Sequence, residues 1–82
     1  YIDGSKFVVY PNPVSEKLII ETEGNMVGSS IELYNASGAV VLQTTAKSNR
    51  EELNVSELSK GIYWLKTTSN NKTLTFRVVV AR

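Results

Sequence analysis

Any chemistry done by this chain would have to come from its eight acidic residues, because it has no histidine and no cysteine. That composition leaves out thiolate nucleophiles, disulfide staples, the usual zinc sites and the commonest general base. The acids are Asp3, Glu16, Glu21, Glu23, Glu32, Glu51, Glu52 and Glu57. Nearly all fall in turn-forming stretches or at outward strand positions, where a solvated charge is the ordinary role. Glu51 and Glu52 are adjacent, and consecutive strand residues point to opposite faces, so they do not converge on one substrate. A calcium loop needs several oxygen ligands at D-x-D-x-D-G spacing, and the chain has one Asp. There is no glycine-rich phosphate loop. The sequence therefore reads as non-catalytic, with no metal and no cofactor.

Charge narrows the partners further. Nine basic residues against eight acidic give a net charge of +1, and neither sign is clustered. Nucleic acid and anionic membrane surfaces, which want clustered Lys and Arg, are not expected partners. No apolar run approaches the ~20 residues that cross a bilayer, so direct membrane insertion is not expected either. Eighty-two residues with 41% hydrophobic content suit one globular domain. The chain opens at Tyr1 without a Met or a signal peptide, as a segment of a longer protein would. Cysteine usage does not fix the compartment, since many exported bacterial proteins lack it. The sequons at Asn35, Asn54 and Asn71 are read as turn chemistry rather than glycan acceptors.

The elements that position these residues are strands. Alternation and β-branched content predict strands over 6–10, 17–22, 30–34, 40–45, 51–55, 62–68 and 73–80. Asn35-Ala36-Ser37-Gly38 is a tight hairpin turn with Gly38 at positive φ, and 69–72 is a second hairpin turn. Pro11-Asn12-Pro13 removes two ladder donors and holds the backbone near extended geometry, as a rigid edge or crossover. Leu58, alone in a polar turn, plugs the end of a core. Gly61 takes a bend that other residues avoid. Tyr63, two residues on, then fits a tyrosine corner, its hydroxyl bonding back to upstream backbone. The resulting expectation is all-β: a seven-stranded antiparallel Ig-like β-sandwich with Greek-key connections.

On the last strand, Leu74, Phe76, Val78 and Val80 share one face and Thr75, Arg77 and Val79 the other. Ile19, Tyr34, Trp64 and Val79 form a possible outward set. Two readings of it stay open: a contiguous apolar partner surface, or residues that cover one another across neighbouring strands. Trp64 also invites a sugar-stacking reading, on weak grounds.

Four blocks follow one another in order: Val9-Tyr10-Pro11-Asn12-Pro13 followed by Leu18-Ile19-Ile20; Ile31 to Gly38; Leu58-x-x-Gly61-Ile62-Tyr63; and Arg77-Val78-Val79-Val80-Ala81-Arg82. Together they resemble one family, the C-terminal sorting domain of cargo for the bacterial type IX secretion system. The family often carries Lys where Arg77 stands, and Ala81 intervenes before the terminal basic residue, but the charge is kept. The resemblance implies that 6–82 is a non-catalytic address for export across the outer membrane and 1–5 a linker from upstream cargo. It implies translocon and shuttle partners, removal by a sortase-like cysteine peptidase, and passage through the periplasm to the cell surface or medium. The signal would lie at Arg77, Val78, Val79, Val80 and Arg82. Ile19, Tyr34 and Trp64 are the partner-surface candidates, with a homodimer one option. The rival expectation is a carbohydrate- or protein-binding accessory sandwich of an extracellular enzyme.

Overall fold

Short β-branched segments separated by Asn, Gly and Ser turns fold into seven strands among the described residues of a computed structural model, 7–69 and 71–81. They are β1 (Phe7–Tyr10), β2 (Lys17–Thr22), β3 (Ser30–Tyr34), β4 (Val40–Thr45), β5 (Arg50–Asn54), β6 (Gly61–Ser69) and β7 (Lys72–Val80). The expected linker at 1–5, Lys6 at the start of the first expected strand, Asn70 of the second hairpin turn and Arg82 lie outside the described residues. Two antiparallel sheets form, ordered β1-β2-β5 and β4-β3-β6-β7. The chain crosses between them after β2, β4 and β5, which is the Greek-key route of an Ig-like sandwich. No helix occurs among the described residues.

Turn chemistry sets the registers. In the β3–β4 hairpin, Asn35 Oδ1 accepts from the Ser37 and Ala39 N–H groups, each at 3.0 Å. Gly38 closes that turn at φ +91°, where a side chain would be strained. A register shift between Leu33 and Tyr34 sets Val40 opposite Tyr34 and Leu42 opposite Leu33. This bulge settles which way the Val40-Val41-Leu42 run faces.

Between the sheets lies one core. Leu18 and Ile20 of β2 meet Ile31, Leu33, Leu65, Val78 and Val80 of the facing sheet, all nearly free of solvent contact. Each such side chain contributes about 1.5–3 kcal/mol when fully buried. Leu58 packs against this core half-buried, and Leu53 and Val55 are buried in it. Phe7 and Phe76 stack across the sheets with ring centroids 5.8 Å apart. Met26, in a connection with no periodicity, is also buried. Its N–H donates at 3.0 Å to Oδ1 of Asn49 in the β4–β5 connection, so a neighbouring loop supplies the backbone partner.

The corner forms as the sequence predicts. Gly61 sits at φ +153°, and the Tyr63 hydroxyl donates to the Ser59 carbonyl at 2.7 Å. Leu58 N–H donates to the Val55 carbonyl at 3.0 Å, making the single turn that precedes it.

Candidate functional site

The two outer faces of the sandwich differ. On the three-stranded sheet the charges are matched: Arg50 and Lys17 approach Glu52 at 3.0 and 3.9 Å. Tyr10 donates to Glu21 at 2.7 Å. That bond holds the Tyr10 phenol above its usual range, and the Glu52 carboxylate likewise raises Arg50. Ile19 sits on this face between Tyr10 and Glu52 in register. It is only 8% exposed. Ile19 therefore does not belong to an open partner surface and follows the other reading of the outward set: its cross-strand neighbours, Tyr10 and Glu52, cover it.

The four-stranded sheet presents the opposite case. One cross-strand row runs Val40, Tyr34, Trp64, Arg77, and Ile62 and Val79 pair beside it. Val40, Ile62 and Trp64 remain 46%, 41% and 40% exposed. Tyr34 and Val79 are half-buried, and Arg77 is exposed. Tyr34 donates to Glu32 Oε1 at 2.8 Å, which raises its phenol pKa. Lys66 Nζ stands 5.0 Å from the Tyr34 ring centroid, within cation–π range. Glu32 also accepts from Gln43 at 3.4 Å. The single acid of this face thus has polar partners within the face, while Arg77 projects at the end of an apolar row.

Of the expected signal residues, Val78 and Val80 are core, at 0% and 1% exposure. Arg77 and Val79 stand on the outer face beside Trp64 and Ile62. Arg82 lies outside the described residues. The structure thus brings Arg77, Val79, Tyr34 and Trp64 onto one face and leaves Ile19 on the other.

β7 is an edge strand of its sheet, yet its C-terminal half is not open. Asn12 Nδ2 donates to the Arg77 carbonyl, and Val79 N–H donates to Asn12 Oδ1, both at 2.9 Å. Val14 N–H donates to the Val79 carbonyl at 2.8 Å, and Ala81 N–H donates to the Val14 carbonyl at 2.9 Å. Both X–Pro bonds of Pro11-Asn12-Pro13 are cis, and the segment bends toward the facing sheet rather than running extended. The Asn12 side chain reaches β7 across 65 positions of sequence, which no local pattern reveals. One signal was available: between two prolines, the Asn side chain is the natural source of a donor.

No group of three or more metal-ligating side chains occurs among the described residues. A hollow between 35–37 and 60–63 is lined by Asn35, Ala36, Ser37, Lys60, Gly61, Ile62 and Tyr63, without convergent acid–base groups.

A covered core between two unlike outer faces, one with paired charges and one with an exposed aromatic–cationic row, defines an Ig-like β-sandwich. The chain belongs to the secretion system C-terminal sorting domain family, the type IX export signal, which it matches over residues 8–81. That family is a sorting signal and not a catalytic one. Over 66 residues, or 80% of this chain, it is 27% identical to beta-agarase A of Zobellia galactanivorans, of which the match covers 12%. It superposes on PorZ, described as an essential bacterial surface component of the type IX secretion system of Porphyromonas gingivalis. The TM-score is 0.81 at 23% identity, over 99% of this chain and 12% of PorZ. At that identity the likeness concerns the fold alone. The chain spans 12% of each of these two proteins.

Proposed function

We propose that residues 6–82 are the address of a cargo protein exported by the type IX system, with 1–5 as the linker from that cargo, and that a sortase-like cysteine peptidase detaches the domain in or before this linker. Translocon and shuttle proteins meet the domain in the periplasm and pass the cargo to the cell surface or medium. A machine that accepts many cargos must read something independent of them, and a rigid appended sandwich supplies it. The family match over 8–81 carries this reading. The row Val40–Tyr34–Trp64–Arg77 with Ile62 and Val79 is the surface read, since aromatic and Arg side chains dominate recognition energetics. Pairing of two copies through the same row competes for it.

The experiment fuses residues 1–82 to a fluorescent reporter in a host with the machinery. The fusion is expected at the surface or in the medium, and the unfused reporter inside. Retention of a folded fusion in the periplasm overturns the proposal.

A second reading has one observation behind it: Tyr34 and Trp64 are cross-strand neighbours on the outer sheet face, as in a sugar-stacking platform. It predicts retention on immobilised polysaccharide, abolished by Trp64→Ser, in a domain whose export is unaffected by the same change.

A further inference from the structure

The bonds between 12–14 and β7 have the pattern of a parallel ladder. In such a ladder one residue donates to the carbonyl before its partner and accepts from the N–H after it. Val14 does this around Val80, and the contact is a parallel bridge. The Asn12 side chain does the same around Val78, using Nδ2 for the Arg77 carbonyl and Oδ1 for the Val79 N–H. The two rungs meet β7 two residues apart, the repeat at which its main-chain groups face the same side. Pro13 falls between them, at the position whose N–H would face away from β7, so its missing donor costs the ladder nothing.

We infer that Asn12 is a positioning residue for the sorting signal: its amide serves as a surrogate peptide unit that closes the outer edge of β7 from Arg77 to Ala81. The role rests on the proposed reading of Arg77 and Val79 as signal residues. With its edge occupied, this stretch cannot be read by strand addition, which needs open main-chain groups. It is read through the side chains of Arg77 and Val79, and Asn12 fixes how these stand. The first family block, around Pro11-Asn12-Pro13, and the described part of the last, Arg77 to Ala81, thus become one physical unit.

The test compares Asn12→Ala with Val14→Ala in the 82-residue chain, by amide hydrogen exchange and by reporter export. Asn12 is exposed, so its truncation leaves the core intact and removes two edge bonds. Val14 is buried at 1% exposure, so Val14→Ala weakens the whole domain while keeping its main-chain rungs. In Asn12→Ala, Val79 N–H is expected to exchange on the order of tenfold faster relative to Leu65 N–H. In Val14→Ala both amides accelerate together. Export is expected to fall further for Asn12→Ala, although that variant is the more stable. An unchanged ratio of Val79 to Leu65 exchange in Asn12→Ala overturns the clamp. Normal export of a variant whose Val79 has loosened overturns its link to sorting. If instead Arg77→Glu exports normally beside an intact clamp, the reading of Arg77 fails, while the exchange data still decide the clamp.

Discussion

Tyr63 shows how much one residue can settle. Its ring is buried and its hydroxyl donates to the Ser59 carbonyl, so Tyr63→Phe leaves a carbonyl short of a partner while keeping the packing. The expected cost is about 0.5–1.5 kcal/mol, read as a lower urea midpoint at unchanged slope. Tyr34 tests electrostatics at the same scale. Its phenol pKa is raised above the ordinary 10.0 by the bond to Glu32. A raised folded pKa means that the stabilisation is present below about 10 and is lost as pH rises through the folded value. Alkaline titration followed by tyrosinate absorbance should therefore lose amplitude from its late-ionising part in Tyr34→Phe; loss from the ordinary part near 10.0 instead contradicts the Glu32 bond. Residues of this kind were legible because Gly61-x-Tyr63 has its own local grammar. Met26 was not: a lone apolar residue in a polar connection has no period, and only the partner at Asn49 reveals that its loop folds inward.

At the scale of elements, alternation located all seven strands to within a residue or two, and the inward faces of β3, β6 and β7 follow from it directly. What alternation cannot give is coverage. Ile19 and Trp64 both occupy outward positions, yet Ile19 is 8% exposed and Trp64 40%. Cross-strand neighbours decide this, and they depend on sheet order, which the sequence does not carry. The two residues should respond differently to removal. Ile19→Ser is expected to cost about 2 kcal/mol, in the range of buried aliphatic truncations, and Trp64→Ser to stay within about 1 kcal/mol. Thermal unfolding of both variants checks this; equal losses would place Trp64 in a covered position. The Pro11-Asn12-Pro13 element was legible as a punctuator and not as a partner of β7, because that contact spans nearly the whole chain.

For the whole molecule, the asymmetry between the two faces is the property that function can use. The three-stranded face pairs its charges and covers Ile19, and its exposed aromatic, Tyr10, is tied to Glu21. The four-stranded face leaves Val40, Ile62 and Trp64 open beside an exposed Arg77. Membership in the sorting-domain family was legible because four short blocks keep their order; which face is read was not, since that depends on how the sheets pack. The central claim is that the export machinery reads Arg77 on this face. The most direct measurement is surface delivery of a reporter fused to residues 1–82 carrying either Arg77→Glu or Lys17→Glu. Both make the same change of charge at an exposed strand position, on opposite faces of the sandwich. Arg77→Glu is expected to retain the reporter inside the cell and Lys17→Glu to export it as the native domain does. Equal export of the two variants, at equal folding by circular dichroism, would contradict the account.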